Sequence, residues 1–122
     1  VLFIVFQVTV VKSNECPTGW VRVLNNCYYN LNILVTREEN QKLCSQLNAN
    51  MLSIEDEFEH SMVSAMTTWD FSYWLGAVRT STESDFKWDT NETVGLTKWA
   101  EGEPSAISDA NSCVALKNGI WR

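Results

Sequence analysis

Trp74-Leu75-Gly76-Ala77 lies inside an aromatic and apolar run from Phe71 to Val78, in the second half of the chain. Two similar runs follow at 86–88 and 97–99, and polar residues and glycines separate the three. Short apolar runs with such boundaries are typical of short strands joined by loops. Gly76 permits a backbone turn that a bulkier residue would strain. The second half of the chain therefore predicts an irregular β region.

The first half predicts two helices. Thr36 and Glu39 have the spacing of a capping box, so a helix is expected to begin there and to end near Asn48 and Asn50. Its inward face would consist of Asn40, Leu43, Cys44 and Leu47. Two helices followed by an irregular β region predict one α+β domain.

The second helix is expected to follow Ser53, which has Asp56 three residues later as a second capping signal. Phe58, Met62 and Met66 then recur at every fourth position, on one helical face. Methionines can line a binding groove, but at this spacing we expect them to pack in the core.

Length and charge limit the possible functions. The 122 residues suit one domain with its own core, and the net charge of −6 comes from 15 acidic and nine basic residues. Lysine and arginine do not cluster in the sequence as a phosphate-binding surface would require. Nucleic acid is therefore not an expected partner, and the scattered acids suit a solvated surface.

The four cysteines favour disulfides over zinc. Cys16, Cys27, Cys44 and Cys113 are too widely spaced for the two close pairs of a usual zinc site. A turn follows Cys16 and another precedes Cys27, so these two cysteines could face each other across a hairpin. We expect them to be bonded, which requires an oxidising compartment.

The first residues suit a secretion signal. An apolar run from Val1 to Val11 has the length of a signal-peptide core and is too short to span a membrane. We expect a signal peptide over 1–13, incomplete at its N-terminus, and a mature domain over 14–122 that begins at Asn14. The alternative is that this run forms a buried β-strand.

Several motifs together resemble the C-type lectin and C-type-lectin-like domain family. They are, in chain order, Cys16-Pro17-x-Gly19-Trp20, Tyr28 after Cys27, the helix with Cys44, Leu52-Ser53-Ile54, Trp74-Leu75-Gly76-Ala77, Phe86-x-Trp88, Trp99-x-x-Gly102-Glu103-Pro104 and Cys113. The resemblance implies two helices flanking a small antiparallel sheet. It also implies that a long loop region between Trp74 and Cys113 carries most of the binding surface, and that Cys16 and Cys27 mark the long form of the family.

The resemblance also implies two disulfides to the last strand of the domain. In the family, the cysteines that match Cys44 and Cys113 pair with two further cysteines beyond the position of Arg122. The sequence ends at Arg122, so Cys44 and Cys113 lack their usual partners and would be free thiols, unless they pair with each other or with another chain. We expect the encoded protein to be longer, because losing two native disulfides would remove much of a small domain's stability.

Calcium ligands of the sugar-binding family members are only partly matched. Glu103 is kept, but Ser105 and Asn111 stand where the family has an amide and an acid, and Arg122 stands where it has an asparagine. Ca²⁺ prefers carboxylate and carbonyl oxygens, although Asp109 could substitute from the same loop. The resemblance therefore implies a secreted domain that binds an extracellular protein or other ligand without calcium, with calcium-dependent sugar binding as the alternative.

The sequence contains neither an EF-hand nor a convincing catalytic motif, but it contains a glycosylation sequon. Residues 89–100 fail as an EF-hand, because Val94 stands in place of its glycine and Ala100 in place of its closing glutamate. Asn91-Glu92-Thr93 is instead a sequon, which predicts an N-glycan on Asn91. Catalysis is not expected, since His60 is the sole histidine and lies in a predicted helix, and Glu101 and Glu103 suit a solvated loop better than a hydrolase pair.

Overall fold

A computed structural model describes residues 2–3, 5–9, 16–30, 33–68, 71–81, 84–104 and 112–122. The α+β class is confirmed. The elements in chain order are β1 (Leu2–Phe3), β2 (Val5–Thr9), β3 (Val21–Val23), β4 (Asn26–Asn30), α1 (Arg37–Gln46), β5 (Asn50–Met51), α2 (Glu57–Met66), β6 (Ser72–Arg79), β7 (Ser112–Lys117) and β8 (Ile120–Trp121).

The strands form two four-stranded sheets. One has the order β1-β6-β7-β8 and the other the order β3-β4-β2-β5. Strands β6 and β7 pair antiparallel, from Tyr73 opposite Leu116 to Val78 opposite Cys113, with a register irregularity between Trp74 and Val78. The loop region that was expected between Trp74 and Cys113 follows β6, and residues 80–81 and 84–104 of it are described.

Residues 2–3 and 5–9 of the N-terminal run have strand geometry. Backbone pairing joins β1 to β6 in parallel and β2 to β4 and β5 antiparallel, with Thr9 opposite Asn26. This agrees with the strand alternative of the sequence analysis. The signal peptide over 1–13 stays a prediction, and the expected mature start at Asn14 lies outside the described residues.

Helix α1 begins as predicted. The Thr36 hydroxyl accepts a hydrogen bond from the Glu39 amide at 3.1 Å, and the Glu39 carboxylate accepts one from the Thr36 amide at 3.2 Å. Asn40 and Cys44 are buried, and Leu43 is partly buried. The expectation for Leu47 was wrong: it is 44% exposed, because the helix ends at Gln46 and Leu47 is its C-cap.

Helix α2 differs from its prediction in start and in face. Asp56, not Ser53, is the N-cap, and its carboxylate accepts a hydrogen bond from the Glu59 amide at 2.7 Å. The face that packs on the core is rotated away from Phe58. Its buried residues are Glu59, His60 and Val63, while Met62 and Met66 are partly buried against the core and Phe58 is 51% exposed.

The Trp74-Leu75-Gly76-Ala77 stretch of β6 crosses the centre of the core. Leu75 is fully buried and Ala77 nearly so, with Leu52, Val114 and Trp121 in the same cluster. Trp74 turns to the other side of the strand and donates from its indole nitrogen to the Val35 carbonyl at 3.1 Å. Strand β6 therefore joins the main core to the smaller cluster around Cys44 and Met51.

Gly76 lies close against Met51 of β5 and the following residue, Leu52. Its amide donates to the Leu52 carbonyl at 2.7 Å, and an added Cβ would lie 3.1 Å from Met51 Cβ and 3.3 Å from both Leu52 O and Asp89 Oδ2. We expect Gly76→Val to lower the free energy of unfolding by about 2–3 kcal/mol, because the backbone carbonyl cannot yield to the side chain.

Urea denaturation of Gly76→Val, followed by tryptophan fluorescence, measures this loss. Gly95→Val is the matched control, since a Cβ at Gly95 would meet no atom within 4 Å. A Gly76→Val protein as stable as Gly95→Val would contradict the close approach.

Candidate functional site

The loop region between β6 and β7 is tied to β6 by a short ladder. The amide and carbonyl of Val78 each pair with Lys87 at 2.9 Å, and Lys87 forms a second bridge with Thr93. The Trp88 amide donates to the Glu92 carbonyl at 2.8 Å, which closes the tight turn between them. Side chains of 84–94 are therefore presented on a fixed backbone.

An open groove runs between this ladder and the end of β6. One part has a volume of 710 Å³ and the adjoining part 450 Å³, and Arg79, Ser84 and Asp85 line both. We call the two parts together the loop groove. The remaining lining residues are Val78, Thr80, Phe86, Lys87, Trp88, Asp89, Asn91, Thr93, Val94, Thr97, Trp99 and Pro104.

Arg79 is the buried cation of the loop groove. The residue is 7% exposed, and its guanidinium carbon lies 4.8 Å from the centroid of the Phe86 ring. A cation over an aromatic face is attracted by the ring quadrupole, and the attraction grows when water is excluded. The groove thus combines the oriented cation of Arg79 with an aromatic wall at Phe86. Asp85 and Lys87 add one acidic and one basic group to its lining.

The aromatic wall packs on three tryptophans, of which Trp88 and Trp121 are buried and Trp99 is partly buried. Phe86 packs on Trp99 at 5.1 Å between ring centroids, and Trp99 and Trp88 both meet Trp121 edge-on, at 5.7 and 5.9 Å. Edge-to-face pairs at these separations are favourable beyond the area they bury. The aromatic side chains of these sequence motifs therefore form the packed base of the loop groove.

The residues that match the family's calcium-ligand positions are only partly described. Glu103 is exposed on a turn, precedes a cis peptide to Pro104, and donates from its amide to the Ala100 carbonyl at 3.0 Å. Ser105, Asp109 and Asn111 lie outside the described residues. Over the described ranges, no group of three His, Cys, Asp or Glu residues is placed to hold a metal.

Backbone hydrogen bonds join the C-terminal residues Trp121 and Arg122 to neighbouring segments. The Ala100 amide donates to the Trp121 carbonyl at 2.8 Å, and the Arg122 amide and carbonyl pair with Ala115 at 2.9 and 3.0 Å. Trp121 and the turn that carries Glu103 are therefore neighbours. An exposed guanidinium follows directly where the calcium-binding members have a ligand.

The cysteines are arranged as expected for one disulfide. Cys16 and Cys27 are bonded, with 5.6 Å between their Cα atoms. Cys44 and Cys113 are free thiols, Cys44 buried and Cys113 exposed. Burial, followed by the nearby charge of Asp89, raises the pKa of the Cys44 thiol to about 12, so this thiol is unreactive near neutral pH.

An ion pair that the sequence analysis missed joins α1 to the loop region. Arg37 lies 3.3 Å from Asp89, and both side chains are largely buried. Burial raises the pKa of the Asp89 carboxyl, and Arg37 opposes that rise. The two residues are 52 positions apart in the sequence, so no local pattern could have indicated the pair.

The predicted glycan acceptor lies at the edge of the loop groove. Asn91 is exposed, has a φ of 73°, and donates from its amide to the Trp88 carbonyl at 2.8 Å. Asparagine tolerates this left-handed conformation better than most residues. Glycosylation of Asn91 stays a prediction, on a residue that is accessible at the tip of a turn.

A buried carboxylate is the second feature that the sequence did not reveal. Glu59 accepts hydrogen bonds from the Tyr28 hydroxyl at 2.5 Å, the Asn26 amide at 3.2 Å and the Glu55 backbone at 2.7 Å. Burial, together with this carboxylate, raises the pKa of the Tyr28 hydroxyl. The network joins the hairpin of β3 and β4 to α2.

His60 lies beneath the sheet and not in the loop groove. Its side chain packs near Trp121 and Gly119, and its Nε2 has no hydrogen-bond partner among the described residues. Burial first, and then the charge of Lys98, lowers the pKa of His60, against smaller opposite effects of Gly119 and Glu57. Neutral His60 is therefore the form that the fold favours.

Acid should destabilise the protein through His60. Its pKa is lower in the folded than in the unfolded chain, where it is about 6.5. Its stability contribution is complete above that value and is lost as the pH falls toward the folded pKa. Thermal melts at about pH 7.5 and about pH 5 should show a larger fall for the native protein than for His60→Gln.

The same comparison removes the effects of other groups. Glu55 and Asp89 have raised pKa values, so they favour the folded state as the pH falls, but they are common to both proteins. Parallel curves for the native protein and His60→Gln would show that His60 titrates as in the unfolded chain.

The arrangement defines a recognition domain: a rigid α+β body that presents a grooved loop region. A family model described as "Lectin C-type domain" matches residues 34–122. The chain belongs to the C-type lectin domain family. Among the described residues, no helix has the length and apolar character needed to cross a membrane.

Individual relatives agree with this assignment. The chain is 30% identical over 121 residues to C-type lectin lectoxin-Phi1 of Philodryas olfersii, covering 94% of this chain and 78% of that protein. It is 28% identical over 106 residues to human C-type lectin domain family 17, member A, covering 87% of this chain but only 28% of that protein.

Solved structures show the same fold. The mouse scavenger receptor C-type lectin carbohydrate-recognition domain matches with a TM-score of 0.80 and 23% identity, over 88% of this chain and 86% of that one. A calcium-independent type II antifreeze protein matches with a TM-score of 0.77 and 18% identity, over 88% and 82%.

Proposed function

We propose that the chain is a secreted recognition domain that binds an extracellular protein or another extracellular ligand at the loop groove, without calcium and without catalysis. The observation that carries the proposal is the lining of that groove. It holds a buried, oriented guanidinium, an aromatic wall and polar groups of both signs, in Arg79, Phe86, Asp85 and Lys87. Such a lining recognises a ligand directly through hydrogen bonds, charge and apolar contact.

The chemistry at the family's calcium position favours this proposal over metal binding. Ca²⁺ takes six to eight oxygen ligands, and of the matched positions Glu103 alone retains a carboxylate. Ser105 supplies a hydroxyl, Asn111 has lost a charge, and Arg122 adds a positive charge. A cation beside a calcium site opposes binding by direct repulsion.

The second candidate is calcium-dependent carbohydrate binding. It is favoured by the kept Glu103-Pro104 pair on its turn and by relatives that are named as lectins. Asp109 would then have to supply a missing ligand. This candidate shares the fold with the first and differs in one measurable requirement, the metal.

The two candidates are separated by binding with and without a chelator. The full-length secreted protein is applied to arrays of glycans and of extracellular proteins, in millimolar calcium and in EDTA. We expect the same ligands in both conditions. Ligands that bind in calcium and are lost in EDTA would support the second candidate and overturn the first.

Two charge-reversal variants test whether the ligand binds at the loop groove. Lys87→Glu reverses a charge at the groove and should weaken binding about tenfold or more, because a like-charge contact across an interface is costly. Lys42→Glu makes the same change on the exposed side of α1 and should bind as the native protein does. Equal binding by both variants would mean that the ligand binds elsewhere.

Secretion is part of the proposal. The Cys16–Cys27 bond requires an oxidising compartment, and the exposed sequon at Asn91 would be glycosylated on the secretory route. We expect the secreted protein to lose mass on treatment with an N-glycosidase. The Asn91→Gln variant should already migrate at the lower mass.

A further inference from the structure

A small pocket lies on the side of α2, between the start of that helix and the turn of the β3–β4 hairpin. Its volume is 80 Å³, the space of about two or three water molecules. We call it the hairpin pocket; it is lined by Val23, Leu24, Asn26, Tyr28, Glu55, Asp56, Phe58 and Glu59. None of these residues lines the loop groove, so the two surfaces are distinct.

Two large apolar side chains flank the hairpin pocket and face solvent. Leu24 is 67% exposed and Phe58 is 51% exposed. Leu24 has a φ of 54° in a two-residue hairpin turn, at a position that favours glycine, and Arg22 donates to its carbonyl at 2.7 Å. The turn thus holds a bulky leucine outward in a conformation that costs energy.

The wall between the two apolar side chains is acidic. Glu59 is buried, and the hydrogen bonds from Tyr28, Asn26 and the Glu55 amide hold its carboxylate in place. Glu55 and Asp56 add two more carboxyl groups beside it. Burial raises the pKa of Glu55, and the charges of Glu59, Glu92 and Asp56 raise it further, which reports a concentration of negative charge.

The basic residues near this wall have other contacts. Lys98 forms an ion pair with Glu57 at 2.6 Å, on the outer side of the first turn of α2. The Nε of Arg22 donates to the backbone of the turn. The three carboxyl groups of the acidic wall attract a cation, and the pocket in front of them, 80 Å³ in volume, admits a single side-chain end but not a sugar ring.

We propose that the hairpin pocket is a second docking surface, which takes one arginine or lysine side chain of a protein partner while apolar residues beside that side chain pack on Leu24 and Phe58. The occupant follows from complementarity of charge and of apolar surface. A cationic head group in front of the fixed carboxylates forms charge-assisted hydrogen bonds, and its apolar neighbours exclude water from them. This surface is independent of the ligand of the loop groove.

The test uses a defined peptide in place of the unidentified partner. A capped peptide with one arginine between two leucines is titrated into the full-length ¹⁵N-labelled protein, and backbone amide shifts are followed. We expect saturable shifts centred on Leu24, Asn26 and Phe58. The same peptide with citrulline, which keeps the shape and removes the charge, should bind about tenfold more weakly.

Variants separate the two parts of the surface. Phe58→Ala and Glu55→Gln should each weaken peptide binding, and Glu55→Gln should also reduce its dependence on salt. Leu47→Ala and Glu101→Gln are the matched controls, an exposed leucine on α1 and an exposed acid on the loop turn, and should bind as the native protein does. All four residues are exposed, so these variants keep the fold.

Three outcomes would overturn the proposal. These are equal binding of the arginine and citrulline peptides, shifts that map away from the hairpin pocket, and no binding at millimolar peptide. None of them bears on the loop groove, because the glycan and protein arrays test that surface separately.

Discussion

Trp121→Ala is expected to lower the free energy of unfolding by about 3–5 kcal/mol, a large part of the stability of a domain of this size. Trp121 is fully buried and is the largest side chain of the core. It supports Trp88 and Trp99 edge-on and packs near His60, so its removal leaves a cavity where α2, the loop region and β8 meet. Denaturant unfolding followed by circular dichroism measures the loss.

The neighbouring residue provides the control. Ile120 is in the same strand but 47% exposed, so Ile120→Ala should cost much less than Trp121→Ala. Because Phe86 packs on Trp99 in the loop groove, the tryptophan variant should also lose ligand binding. Equal stability of the two variants would show that Trp121 is not the centre of the core.

Removing the disulfide is expected to have the second largest effect. Cys16 and Cys27 are 11 positions apart, and closing a loop of that length stabilises a fold by about 3 kcal/mol through the entropy of the unfolded chain. The Cys16→Ser, Cys27→Ser double variant should therefore unfold at lower denaturant with an otherwise native spectrum. Ser61→Ala, at an exposed serine on α2, is the control.

The double variant also tests the hairpin that carries the docking surface. Cys27 pairs with Arg22 across the hairpin, next to the turn at Leu24. Without the disulfide, exchange of the amides in β3 and β4 with solvent should be faster than in the native protein. A double variant as stable as Ser61→Ala would mean that the disulfide adds nothing to the fold.

Local signals in the sequence were sufficient for several features. The capping box at Thr36 involves residues three apart, so its hydrogen bonds could be predicted and are present. The Cys16–Cys27 bond spans one hairpin with turn residues at both ends. The ordered motifs around Trp74 and Trp99 indicated the family and the loop region, because each is a short strand or turn with its own composition.

Other features depend on competition between neighbours or on distant contacts. Ser53 and Asp56 can both cap a helix, and Asp56 does so. Which face of α2 is buried depends on its packing against distant residues, and that packing leaves Phe58 exposed and buries His60. Asp89 with Arg37 and Glu59 with Tyr28 are pairs brought together only by the fold. These long-range pairs position the loop groove and the hairpin pocket, so the finer geometry of both could not be derived from the sequence.

Direct calcium binding tests the central claim, that this C-type lectin domain recognises its ligand without the metal. A calcium-binding domain would gain about 2.7 kcal/mol of stability when the metal is at a hundred times its dissociation constant. Isothermal titration of calcium into the full-length protein, with melts at each concentration, should give no saturable heat and no rise in melting temperature. A saturable heat with a matching rise in melting temperature would contradict the account.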